Sequence, residues 1–275
     1  MRKTFVTAGG LAGWREGTGR EILLLHGGPG LSDYTEMLLG ELDGFQVASF
    51  QQRGLAPSRT DGPYDVPTAV ADVVEVLDEL GWRAPVVIGH SWGGHLLLHL
   101  LVAHPERVGA ALVVDPLGGV GDGGMEAFNA EMDARVPEHL RARARELDDA
   151  LMAGAGTEGD ALESMTLYWA SYFADRRCVA PMPALRFGLE VSRDMWPSIL
   201  AELPGLAARL EGVTTPTRFV HGERSPMPVT ASTDTARVLG AEVDVVPDAG
   251  HFAWFERPGC VRSGLDRLLA DVTRS

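Results

Sequence analysis

The sequence predicts an α/β fold, with a mostly parallel central sheet flanked by helices and one inserted helical segment. Three observations predict it. Short apolar runs rich in β-branched residues end at Gly, Pro or Asp. Helical patterns lie between those runs, and strand–helix alternation is the signature of a parallel sheet with helices on its faces. The alternation also stops after Asp115 and resumes near Pro216.

The elements follow in order. Residues 4–14 read as an antiparallel edge hairpin. The runs at 22–25, 45–50, 85–88, 111–114, 218–220 and 243–246 read as strands buried on both faces. Residues 67–80 open with Pro67 and carry Val70, Val73, Val74, Leu77 and Leu80 at spacings of three and four, an amphipathic helix. Residues 92–103 give a mostly apolar helix through Leu96, Leu97, Leu100 and Leu101. Residues 258–270 predict a third, opening at Pro258 and carrying Val261, Leu265, Leu268 and Leu269. Residues 120–205 form the expected insertion, which divides the core into 1–119 and 206–275. It follows a Gly-rich loop and is rich in aromatics, among them Phe128, Tyr168, Trp169 and Tyr172.

Composition excludes several function classes. The chain has 275 residues, 45% of them hydrophobic, enough for a full core. Its net charge of −14 opposes binding to phosphate backbones and anionic membranes, so no nucleic-acid or membrane partner is expected. No apolar run reaches the roughly 18–20 residues of a membrane span. Residues 1–5 start basic but are followed by no signal-type apolar stretch, so a cytoplasmic location is expected. Cys178 and Cys260 are too few for a disulfide framework and read as reduced thiols.

The chemistry centres on Gly89-His90-Ser91-Trp92-Gly93-Gly94, which follows one predicted strand and opens the helix at 92–103. That is G-x-S-x-G in the strand–turn–helix context that lifts a nucleophilic serine off a sheet end. A helix N-terminus beside Ser91 favours developing negative charge. His26-Gly27-Gly28-Pro29-Gly30 follows the first core strand. The N–H groups of Gly28 and of Trp92, the residue after the nucleophile, are the expected oxyanion donors. His251, after the last strand, is the expected general base. The other histidines read otherwise: His26 and His90 as supports of their turns, and His104, His139 and His221 as structural. His95 and His99 stand four apart like a metal pair but lack a third ligand, so no metal or other cofactor is implied.

The acid is the open question. Where an Asp is usual, in the loop 221–228, the sequence has Ser225, and a hydroxyl cannot compensate an imidazolium charge. Asp115, ending the neighbouring strand 24 residues after Ser91, is the preferred candidate. Glu223 is a second, and the absence of any acid a third. Asp248 is too close to His251 in sequence to orient it.

At these residues the chain resembles the α/β-hydrolase superfamily over about 1–117 and 205–275, with the insertion where such enzymes carry a helical cap. Within it, the residues 26–30, Gln51-Gln52-Arg53-Gly54 with Ser58, and 89–94 look most like proline-iminopeptidase-like hydrolases. Two positions depart from that pattern: Gln51 stands where an Asp is usual, and Ser225 where the triad acid is usual. Some haloalkane-dehalogenase relatives carry the acid where Asp115 stands, although Ser91 excludes their Asp-nucleophile chemistry. The resemblance implies a serine hydrolase acting on a small ester or amide with an apolar part. Two alternatives remain: a hydrolase-fold protein that now binds a ligand or isomerises, and an iminopeptidase whose cap carboxylates, Glu163 and Glu190 being available, hold a substrate amine.

Overall fold

The computed structural model describes residues 1–177 and 179–274, so Cys178 lies outside the described residues. One sheet holds eight strands: β1 (Lys3–Val6), β2 (Ala12–Gly17), β3 (Glu21–Leu25), β4 (Gln46–Phe50), β5 (Val86–His90), β6 (Ala110–Val114), β7 (Thr217–Gly222) and β8 (Glu242–Val246). Their spatial order is β1-β2-β4-β3-β5-β6-β7-β8. The first two strands pair antiparallel, with each other and with β4, and every other pairing is parallel.

Side-chain alternation along each strand splits the core in two. Leu23 and Leu25 of β3 join one apolar cluster, while Ile22 and Leu24 join the other. The first cluster is closed by α1 (Val66–Leu80) and α2 (Trp92–Ala103). Asp65 caps α1 by accepting the Thr68 N–H at 2.8 Å, and Gly81 ends it at φ 70°. Helix α2 is buried from Trp92 to Leu101, which accounts for its apolar sequence on every face. Between β6 and β7 run α3 (Met125–Arg135), α4 (Glu138–Met152), α5 (Glu158–Tyr168) and α6 (Leu189–Leu210). After β7 come α7 (Val229–Leu239), the short α8 (Ala253–Glu256) and α9 (Cys260–Arg274).

Three elements differ from expectation. Strand β8 is an edge strand rather than one buried on both faces: Val245 is 42% exposed. Helix α9 starts at Cys260, not Pro258, because Gly259 sits at φ 88°. The Glu41 carboxylate caps that start, accepting the N–H groups of Gly259 (2.6 Å) and Arg262 (3.0 Å). The expected boundary at 205 falls inside α6, whose Met195, Ile199, Leu203, Leu206 and Leu210 pack into the same cluster as α1 and α2. Among the described residues no helix is long and apolar enough to cross a membrane.

Helix α2 presses its first turn against β3: a Cβ at Gly93 would collide with the Leu25 carbonyl. Gly93→Ala is expected to cost about 2 kcal/mol or more, read as a lower urea midpoint.

Candidate active site

In parallel strands all carboxyl ends face one way, so the loops that leave them converge on a single rim. Gly28 follows β3, Ser91 follows β5, Asp115 follows β6, Ser225 lies beyond β7 and His251 beyond β8. The only non-glycine residues with positive φ among the described residues are Ser91 (57°), Asp115 (46°) and Asp248 (50°), all at this rim. Backbone strain of that kind survives only where the surroundings hold it, and it clusters at functional sites. Ser91 is held by its N–H to the Val114 carbonyl (3.0 Å) and by Gly94 and His95 N–H groups donating to its own carbonyl.

Asp115 is fully buried. Its Oδ1 lies 3.0 Å from His251 Nδ1 and accepts the Ser225 hydroxyl at 2.5 Å, while Oδ2 accepts the Gly222 N–H at 2.8 Å. Burial opposes the charge, but His221 at 3.7 Å and the His251 and Ser225 hydrogen bonds outweigh it, holding the carboxyl below the usual carboxylate range. An ionised carboxylate only accepts, so the His251 Nδ1 that faces it carries a proton. The backbone of His251 is fixed as well, its N–H donating to the Tyr172 carbonyl at 2.7 Å.

Ser91 and His251 line one cavity. Its other walls are Gly28, the two tyrosines Tyr34 and Tyr172, and apolar side chains including Leu31, Met165, Trp169 and Leu185. Among the described residues no carboxylate and no cationic Lys or Arg lines it. The N–H groups of Gly28 and Trp92 have no acceptor among the described residues. A second cavity, beyond residues 29–31, is walled in part by the Arg53–Asp72 ion pair, and neither Ser91 nor His251 lines it.

Sequence reasoning missed the brace behind this wall. His90 Nε2–H donates to the His251 carbonyl (2.9 Å), so its Nδ1 accepts from the Tyr34 hydroxyl (2.6 Å), which in turn accepts the Gly27 N–H (2.9 Å). The chain thus ties the loop of Gly28 to the loop of His251. Nothing in the sequence links residue 34 to residue 90; only the H-G-G loop hinted that something must hold it. Gln51, at the position that departs from the D-Q-R-G pattern, bridges the same loop, accepting from Asp33 N–H (3.0 Å) and donating to the Leu31 carbonyl (3.2 Å).

Known proteins are similar to this chain in sequence and in fold. The chain matches the alpha/beta hydrolase family over residues 22–260. It belongs to that family. It is 36% identical over 105 residues to the proline iminopeptidase of Lactobacillus delbrueckii subsp. bulgaricus, a match covering 35% of this chain and 36% of that one. It is 27% identical over 176 residues to lipase LipV of Mycobacterium tuberculosis, covering 56% and 67% of the two chains. The crystal structure of the proline iminopeptidase-related protein TTHA1809 from Thermus thermophilus superposes with a TM-score of 0.71 at 20% identity, covering 99% of this chain and 98% of that one. That likeness shows the α/β-hydrolase fold.

Within this alpha/beta hydrolase, the remaining candidates sit elsewhere. Glu223 is exposed, and its carboxylate accepts the Asp248 N–H (3.1 Å). Asp248 pairs with Arg257 (3.2 Å). Glu163 forms a bidentate pair with Arg143 at the surface, and Glu190 is exposed. His95 and His99 are buried against each other, Nε2 to Nε2 at 3.2 Å. Among the described residues no group of three His, Cys, Asp or Glu side chains is arranged to hold a metal ion. The Cys260 thiol is pushed up to about 12, chiefly by burial, so it is protonated at neutral pH.

Burial drives three imidazoles down, His90 and His95 to about 3 and His99 to about 4. Folded, they stay neutral where the unfolded chain takes up protons below about 6.5. Stability is therefore complete above that pH and is lost as pH falls toward 4, by about 2 kcal/mol per imidazole at pH 5. Guanidinium-chloride midpoints measured at pH 7 and pH 5 should show that fall.

Proposed function

We propose that this alpha/beta hydrolase is a serine esterase for small, uncharged substrates with an apolar acyl or alcohol part. The observation that carries the reading is the shared cavity of Ser91 and His251, with Asp115 3.0 Å behind the imidazole. His251 Nε2 takes the Ser91 hydroxyl proton as Oγ attacks the ester carbonyl. Asp115 holds the productive tautomer and stabilises the imidazolium. The free N–H groups of Gly28 and Trp92 receive the oxyanion. His251 then protonates the leaving alcohol, and water, activated by the same imidazole, releases the acid and regenerates Ser91. The helical insertion acts as a cap: Met165, Trp169, Tyr172 and Leu185 give it an apolar ceiling over Ser91.

The wall chemistry selects against the iminopeptidase alternative. A free substrate ammonium needs a facing carboxylate, and none of the described residues brings one to the cavity wall; Glu163 is occupied by Arg143 at the surface. Ser225 at the usual acid position favours a fold that has lost hydrolysis, and the hydrogen bond between Asp115 and His251 supports the hydrolase reading instead.

A panel of p-nitrophenyl esters against aminoacyl-anilides tests the reading. Ester turnover that disappears in Ser91→Ala, with no anilide cleavage, is expected. Anilide cleavage without esterase activity would contradict it. In the same assay, Asp115→Asn should lower kcat by about 10³–10⁴-fold, because an amide favours the wrong imidazole tautomer.

A further inference from the structure

We propose that Ser225 is a positioning residue: it pins the Asp115 carboxylate against His251, in the place where related chains would carry the acid itself. The inference rests on the reading of Asp115 as the partner of His251.

Ser225 is 8% exposed, and its hydroxyl has three polar neighbours. The Met227 N–H donates to its oxygen at 3.2 Å. His251 Nδ1, which carries a proton, lies 3.3 Å away and can only donate. The single hydroxyl proton is therefore left for Asp115 Oδ1, at 2.5 Å. A hydroxyl donating to a carboxylate is a charge-assisted bond, the strong kind. The Gly222 N–H fixes Oδ2. Both carboxylate oxygens are thus tied to the end of β7 and the loop that follows it, although Asp115 itself follows β6. His221, the other neighbour of Asp115, is already occupied by the Met227 carbonyl (2.9 Å) and the Ser232 hydroxyl (2.8 Å). Without Ser225, Oδ1 would keep His251 as its only hydrogen-bond partner, and the two side chains could move together.

The same geometry explains why the usual acid position holds a hydroxyl. A carboxylate at 225 would touch Asp115, and two like charges at such a distance cannot both ionise in a buried site. One negative charge fits here, and once Asp115 supplies it, residue 225 must donate.

Ser225 also closes a local turn through the Met227 N–H, and that role alone would make it structural. A double-mutant cycle separates the two. The readout is the second-order rate of labelling by an alkyl fluorophosphonate, in which the Ser91 Oγ–P bond forms as P–F breaks, His251 takes the proton, and no knowledge of the natural substrate is needed. Ser225→Ala should slow labelling about tenfold in the native background and change it less than about twofold in Asp115→Asn. Ser225→Thr, which keeps the hydroxyl, should restore the rate. Equal losses in both backgrounds, or no loss in the native one, would overturn the role of Ser225 while leaving that of Asp115 intact. Unlabelled native protein, or Asp115→Asn labelling at the native rate, would overturn the underlying reading and this inference with it.

Discussion

A single carboxylate, sealed from solvent at the end of β6, sets the terms for the rest of the rim. Placing an ion where water cannot reach it costs several kcal/mol unless protein donors replace the lost hydration. Asp115 meets that demand with a hydroxyl, a backbone N–H and an imidazole, each from a different residue at or beyond the ends of β7 and β8. The charge thereby fastens together three strand ends, and the imidazole it fastens is the one that faces the cavity of Ser91. The left-handed φ of 46° at Asp115 is the local strain that this arrangement carries.

The fold explains why so few residues suffice. Parallel pairing across β4-β3-β5-β6-β7-β8 brings the carboxyl ends of these strands to one edge, and β5 and β6 are adjacent, so Ser91 and Asp115 leave neighbouring strands. Behind them, a neutral His90 carries a hydrogen-bond chain from Gly27 through Tyr34 to the His251 carbonyl. Because that imidazole is pushed down to about 3 by burial, it stays neutral and keeps one donor and one acceptor across the physiological range. The insertion adds a second clamp: Gly188 N–H donates to the Gly30 carbonyl at 2.7 Å, and Ser32 N–H to the Arg186 carbonyl at 3.0 Å. The loop of Gly28 is therefore gripped from the sheet side and from above.

What the sequence disclosed follows from what is local. Strand runs, the G-x-S-x-G turn and the H-G-G loop are contiguous patterns with a direct backbone meaning, so the sheet and the convergence of residues 28, 91, 115 and 251 were legible. Pairings between distant residues left no such trace. Ser225 could be read as a missing carboxylate, but its bond to a residue 110 positions away could not. The Glu41 cap on α9 spans 218 positions and has no trace in the sequence around the helix it caps. The edge position of β8 was hidden too, since Val243, Val245 and Val246 read as a buried run until the strand order showed nothing beyond them among the described residues.

The proposed function is covalent at its centre: Ser91 would carry the acyl group between the two half-reactions. Acid quench of the enzyme turning over a p-nitrophenyl ester, followed by tryptic mapping, tests it directly. The predicted result is an acyl mass increment on the peptide 84–107, which contains Ser91. Rapid turnover with that peptide unmodified would contradict the account.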